Sequence, residues 1–232
     1  MPQLKLLAFD TSTETLSVAV ASGSRLWRSS GPGGALASAA LIPAIQDLLA
    51  QAGLQLRELD AVVFGRGPGS FTGLRTACAV AQGLAFGAGL PVLAVDTLLA
   101  VAEQARQHAG SQHVLAVLDA RMDQVYAAAY EIVADRWLQR GETTLDKPEA
   151  LVLPAGWTLA GNAFEAYGQR LPPGPRVAAL PDAAALLRLA PALFAAGEAV
   201  PPQRALPLYV RDKVAQTTEE RGALKAAAIA MP

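Results

Sequence analysis

Apolar residues along the chain come in short runs set between polar or glycine-rich turns, and their period switches between two and the helical 3.6. Leu4 to Phe9 reads as a first strand ending on Asp10. The polar turn Asp10 to Glu14, DTSTE, suits a hairpin into a second strand, Leu16 to Ala21. After Ser22-Gly23-Ser24 a third strand follows, Arg25 to Arg28. Leu36 to Ala52 predicts a helix with Leu41, Ile45, Leu48 and Leu49 on one side and Ile42 on a neighbouring line, bent at Pro43. A strand Ala61–Phe64, a helix Thr72–Gly87, a strand Leu90–Val95 and a helix Thr97–His108 complete the first half. The pattern then restarts. Val114 to Leu118 is an apolar strand ending on Asp119, followed by a second hairpin, Val125–Ile132 and Arg136–Arg140. Beyond it lie a short strand Trp157–Ala160, a helix Asp182–Ala196 capped by Asp182, and stiff proline loops at 171–175 and 200–202. The tail after Thr217 reads as frayed. The restart predicts an α/β protein of two related halves, residues 1–108 and 109–232.

Between the strand ending at Phe64 and the helix from Thr72 stands GRGPGSFTGLR, Gly65 to Arg75. Its glycines mean either positive φ or a second chain segment in close approach. Ser70 or Thr72 is placed to cap the helix. Two readings stay open: an anion cradle at the helix N-terminus, or a tight turn with close helix packing. The pattern lacks the lysine of a phosphate-binding P-loop, and Ser70 stands where a dinucleotide fingerprint needs glycine.

The helix that follows has no charge from Thr76 onward, and none appears before Val95 is passed. A surface helix should carry a polar face. Its small residues instead form two rows, Gly73, Ala77, Ala81, Ala85 and Ala79, Gly83, Gly87. Residues four apart share a helix face, so backbones can approach from two sides. One neighbour is this chain's own sheet and the other a second protein; the pattern does not say which row meets which. Helices Leu36–Ala52 and Thr72–Gly87 carry only Asp47 and Arg75 as charges. Together they are expected to form a partner-binding face that includes Leu36, Ala40, Leu41, Ile45, Arg75, Ala77, Ala81 and Gly83.

Composition sharpens this picture. The 232 residues are 52% hydrophobic and 17% charged, which is globular. A net charge of −1 argues against gripping nucleic acid unaided, since phosphate neutralisation needs clustered Lys and Arg. Any few nucleic-acid contacts would come from Arg211, Lys213, Arg221 and Lys225 near the carboxyl end. The single cysteine, Cys78, excludes an internal disulfide, fits a reducing compartment and reads as a small buried hydrophobe. The amino terminus does not read as a signal peptide. The uncharged stretch 76–95 is long enough for a bilayer, but its Gln, Gly and Pro favour helix, turn and strand. A cytoplasmic location is expected.

Chemistry-bearing sets are sparse. His108 and His113 lack companion ligands for a metal. Asp10, Thr11, Ser12 and Thr13 read as a possible vestigial phosphate loop or as a plain hairpin. Asp119, Arg121 and Asp123 can orient a ligand or pin the second hairpin.

FDTST, GRGPGSFTGLR, AQGLAFG, DARMDQVYAA and PLYVRD together resemble the bacterial TsaB family, also called YeaZ, from about Leu4 to Val210. The resemblance implies the actin, hexokinase and Hsp70 fold: two ribonuclease-H-like halves, the second reduced. It implies a non-catalytic scaffold that helps install threonylcarbamoyl on the adenosine beside the anticodon of tRNAs reading codons that begin with A. The partner would be the TsaD transferase, which carries the metal and the transfer chemistry, with a TsaE-type ATPase joining and tRNA reached only through the complex. The free chain would be a homodimer. ATP or ADP could sit at the partner interface, with weak or no nucleotide binding by the isolated chain. TsaD holds its metal with two histidines where this chain has Thr97 and Val101, so no metal is expected. One departure stands out: relatives carry polar residues early in the first long helix, where Ala35 to Ala40 reads ALASAA. The alternatives are an ATP-using sugar-kinase-like enzyme, for which Gly161-Asn162 is the only second loop, or a metallopeptidase.

Overall fold

One strand order is used twice. In the computed structural model, which describes residues 4–211, β1 (Lys5–Asp10), β2 (Thr15–Ser22), β3 (Arg25–Pro32), β4 (Ala61–Gly67) and β5 (Val92–Asp96) form a sheet ordered β3-β2-β1-β4-β5. The second sheet takes β6 (His113–Arg121), β7 (Gln124–Val133), β8 (Arg136–Asp146), β9 (Thr158–Gly161) and β10 (Arg176–Ala178) in the matching order β8-β7-β6-β9-β10. In each, three strands meander antiparallel and two are added in parallel. This is the expected two-lobed, actin-like α/β fold. The second half is the reduced one. Where the first half inserts α1 (Ala37–Ala52) and α2 (Phe71–Ala88), the second has the 3-10 turn Pro148–Ala150 and the one-turn α4 (Phe164–Tyr167) with a 3-10 turn, Gly168–Arg170, after it.

Two longer helices lie between the sheets and change sides. α3 (Thr97–Ala109) follows the first sheet but packs Leu98, Val101, Ala102 and Ala105 on Val114, Ala116, Leu118 and Tyr130 of the second. α5 (Ala183–Ala195) follows the second sheet but packs Ala183, Leu186 and Ala190 on Leu6, Ala8, Val63 and Leu93 of the first. A division at residue 108 therefore separates the sheets, while α5 belongs spatially to the first. As read from the sequence, the Asp182 carboxylate caps α5, accepting the Ala185 N–H at 2.6 Å.

α1 and α2 cover the outer face of the first sheet. Leu41, Ile45 and Leu48 of α1, with Ala77, Ala81 and Ala85 of α2, meet Leu7, Phe9, Val18, Val62 and Phe64. The stretch Gly34–Ala52 is long and apolar enough to cross a membrane, yet its Leu41, Ile45, Leu48 and Leu49 lie in this core. The uncharged stretch 76–95 resolves as expected into the end of α2, a left-handed Gly89 and β5.

The glycine-rich turn is a close-packing device. Thr11 donates its hydroxyl to the Gly73 carbonyl at 2.7 Å, and Ser70 N–H donates to the Ser12 carbonyl at 2.8 Å. A Cβ at Gly73 would lie 1.9 Å from the Thr11 carbonyl oxygen, one at Gly69 2.6 Å from that of Ser12. The Ser70 N–H is thus taken by the chain itself, and Gly69 and Gly73 serve close packing against the first hairpin. Ser70 occupies the N-cap position, but neither it nor Thr72 makes the expected side-chain cap; Thr72 offers its carbonyl to the Thr76 hydroxyl.

Gly73→Ala should therefore destabilise the chain by on the order of 4 kcal/mol, because a backbone carbonyl cannot yield as a side chain can. Gly83, with nothing within 4 Å of a Cβ, should accept alanine and gain about 0.5–1 kcal/mol of helix propensity. Urea melts of the two variants check both signs.

Candidate functional site

The two hairpins face each other across a cleft between the lobes. A cavity of about 310 Å³ there is lined by Ser12, Thr13, Glu14 and Ser70 from the first half and by Asp119, Arg121, Tyr126 and Asn162 from the second. The segment Leu208 to Arg211 also lines it. Asp10 lies fully buried behind this cavity at the end of β1. Its Oδ1 accepts the backbone N–H of Ser12 at 2.8 Å and the Ser12 hydroxyl at 2.6 Å. Its Oδ2 occupies the space a Cβ on Gly65 would need and makes no hydrogen bond of good geometry, the Thr97 hydroxyl beside it being the one group that eases its charge. Burial outweighs the Ser12 hydrogen bonds and pushes the carboxyl up to about 6.

Asp119 stands at the equivalent end of β6 and is fully engaged. Its Oδ1 accepts the Tyr167 hydroxyl and the Arg121 N–H, both at 2.8 Å, and its Oδ2 pairs with the Arg121 guanidinium at 3.3 Å. Asn162 takes the Asp119 N–H at 2.9 Å, so the amide oxygen of the sole second-loop candidate is spent on the hairpin. Asp123 pairs with Arg170 at 2.5 Å. The DARMD cluster pins the second hairpin. Arg121 also reaches Glu14 at 3.0 Å and bridges the cleft mouth; both side chains are exposed, so the pair contributes at most about 1 kcal/mol.

Thr97 and Val101 are both fully buried: the Thr97 hydroxyl accepts the Gly67 N–H at 3.1 Å, and Val101 packs against the second sheet. Among the described residues no three His, Cys, Asp or Glu side chains gather to hold a metal. Cys78 is buried in α2, and its thiol donates to the Ala205 carbonyl at 3.4 Å.

The second candidate surface is the outward side of α1 and α2. Leu36 (61% exposed), Ile42 and Phe86 (70% exposed) stand out from it beside Ala79, Gly83 and Gly87. Leu41, Ile45, Ala77 and Ala81, expected at an interface, are instead buried against the chain's own sheet, because α2 turns the Gly73 row toward the first hairpin. Leu36, Arg75 and Gly83 are exposed, and Ala40 is half-buried. Ile42, Ala79 and Phe86 belong to the same face, and the spacing of the Ala79 row and the neighbouring line of Ile42 is the sequence signal for the first two.

The profile of the TsaD family, described as tRNA N6-adenosine threonylcarbamoyltransferase, matches residues 36–179. Two proteins named "tRNA threonylcarbamoyladenosine biosynthesis protein TsaB" align over nearly the whole chain. The one from Escherichia coli is 35% identical over 91% of this chain and 96% of its own length, the one from Haemophilus influenzae 32% identical over 92% and 96%. The chain belongs to the TsaB (YeaZ) family. A solved structure, YeaZ from Pseudomonas aeruginosa, superposes with a TM-score of 0.84 at 41% identity, covering 89% of this chain and 99% of that one.

Within this TsaB-type fold Asp10 carries a cost that packing alone does not explain. Its folded-state pKa lies above the ordinary 3.8, so the penalty is absent below about pH 4 and complete above about pH 6. Asp10→Asn keeps an acceptor for Ser12 and removes the buried charge. It should raise stability by on the order of 3 kcal/mol at pH 7.5, and the gap should close as pH falls through 6 toward 4. Thermal melts of both proteins across that range test the sign; a less stable variant at pH 7.5 contradicts it.

Proposed function

We propose that this chain is a non-catalytic scaffold in tRNA threonylcarbamoyladenosine biosynthesis, docking a TsaD-type transferase through the outward side of α1 and α2. The observation that carries the reading is that face: two adjacent helices with Asp47 and Arg75 as their only charges, three large exposed apolar side chains, and the small row Ala79, Gly83, Gly87. A contiguous exposed apolar patch marks an interface, and small residues let a partner's helix approach closely. The names of the relatives and the transferase-family profile supply the partner class. On this reading the same face pairs with a second copy when the transferase is absent, since a self-complementary patch gives an isologous dimer. A TsaE-type ATPase joins the assembly, tRNA is reached only through the complex, and the work is cytoplasmic.

The chain's own contribution to chemistry is then indirect. Asp119 and Asn162 are tied into the hairpin, and the positions Thr97 and Val101 are given to packing. Of the residues expected to touch tRNA, Arg211 is engaged inside the cleft, while Lys213, Arg221 and Lys225 lie outside the described residues. A nucleotide-using enzyme is the second reading, and the unpartnered Asp10 oxygen is the observation in its favour.

Two variants separate core from interface. Ala81→Arg places a charge in the core and should prevent folding. Gly83→Arg should fold, with an unchanged circular dichroism spectrum, but lose both self-association and transferase binding, because an unpaired charge buried at an interface costs several kcal/mol. Unchanged affinity of Gly83→Arg would refute the docking face. The scaffold reading also expects iron and zinc well below one equivalent per purified chain by elemental analysis; a full equivalent would favour the metallopeptidase alternative.

A further inference from the structure

The outward row of α2 runs from small residues back to a charge. Arg75 stands four positions before Ala79 and eight before Gly83, on the same side of the helix, and Phe71 lies one turn earlier still. Beside them the chain supplies Tyr209. Val200 pairs with Val92, the Ala205 carbonyl accepts Gln82 Nε2 at 2.8 Å as well as the Cys78 thiol, and Leu208 N–H donates to the Arg66 carbonyl at 2.7 Å. These bonds lay the segment 200–209 along α2 and bring the Tyr209 ring to Phe71, with ring centres 5.4 Å apart.

Arg75 is held on this aromatic pair. Its guanidinium carbon sits 3.9 Å from the Phe71 ring centre, and its Nε donates to the Tyr209 hydroxyl at 3.2 Å. The side chain is exposed, and both Nη groups lack a partner among the described residues. Arg66, Arg106, Arg121, Arg140, Arg170 and Arg188 each pair with a carboxylate, but Arg75 pairs with none among the described residues. Ring and hydroxyl restrict the side chain before a partner arrives, so less rotamer freedom is lost on binding. Its surroundings on the face are apolar: Ala79, Gly83, Gly87 and Phe86. A partner that covers this face takes Arg75 out of water, and a desolvated guanidinium must be paired. The partner has to bring the acceptor.

We propose that Arg75 is the residue by which the docking face selects the transferase, which presents an aspartate or glutamate side chain to the two Nη groups. A fixed planar fork suits the two oxygens of a carboxylate. Arg75 is the only cation on α1 and α2, which favours a protein carboxylate over a nucleic-acid phosphate, since phosphate binding needs clustered cations. The inference rests on the docking reading above.

The test measures binding of the full chain to a purified TsaD-type transferase by calorimetry, with circular dichroism confirming the fold of each variant. Arg75→Ala should weaken binding about thirtyfold or more, because it leaves the partner's carboxylate desolvated and unpaired. Arg75→Lys keeps the charge and loses the fork, and should fall between Arg75→Ala and the parent. Arg75→Glu sets like charges together and should bind more weakly than Arg75→Ala. A merely structural role would not rank the variants by charge. Self-association of Arg75→Ala, read by sedimentation, should be no weaker than the parent's. Loss of self-association with transferase affinity unchanged would assign the carboxylate to a second copy. A loss of affinity seen only with tRNA present would assign Arg75 to a phosphate. Either result overturns the inference. So does parent-like binding by Arg75→Ala while Gly83→Arg fails to bind, an outcome that leaves the docking face standing; unchanged binding by Gly83→Arg is instead the failure of the docking reading itself.

Discussion

The rest of the structure depends on one backbone contact, the seating of the Asp10–Thr13 turn on the start of α2. Thr11 bonds the Gly73 carbonyl, Ser12 receives the Ser70 N–H, and Cβ atoms at Gly65, Gly69 or Gly73 would strike Asp10, Ser12 or Thr11. This contact fixes the rotation of α2 about its axis. With Gly73 turned toward the hairpin, residues four, eight and twelve positions on, Ala77, Ala81 and Ala85, must face the sheet. Ala79, Gly83 and Gly87 are then left pointing outward beside α1. The apolar outer face, and with it the proposed docking of a transferase, follows from a steric constraint at the other end of the helix.

The same contact shapes the cleft. Drawing the hairpin onto α2 carries Asp10 into the interior, where one oxygen is satisfied by Ser12 and the other is stranded over Gly65. The second lobe solves the equivalent position differently, exposing Asp119 enough to pair with Arg121 and Tyr167. Two lobes with one strand order have thus diverged: one keeps an unpaired buried carboxyl, the other has spent its carboxyl on holding a loop.

Much of this was legible in the sequence because it rests on local pattern. The restart at Val114, the Asp182 cap and the break at Gly89 each follow from a run of a few residues. β3 and β8 extend to Pro32 and Asp146, beyond the expected Arg28 and Arg140, because their length is set by pairing with β2 and β7 and their exposed polar residues carry no strand signal. β10 was hidden among prolines for the same reason: its three residues are a strand only because β9 lies alongside. The exchange of α3 and α5 between sheets is a tertiary fact with no local trace. In the candidate site, the spacing shows the two rows of α2 but not their orientation, which is why the expected face includes Leu41, Ile45, Ala77 and Ala81 although they build the core.

Side-chain footprinting by hydroxyl radicals tests the central claim most directly, with the chain alone at low concentration and in the presence of a TsaD-type transferase. Leu36, Ile42 and Phe86 are exposed on the outer face of the first lobe, while Leu138 and Val152 are exposed on the second and serve as internal controls. Loss of reactivity at Leu36, Ile42 and Phe86, with Leu138 and Val152 unchanged, is the expected result. Protection confined to Leu138 and Val152, with the α1 and α2 side chains as reactive as before, would contradict the account.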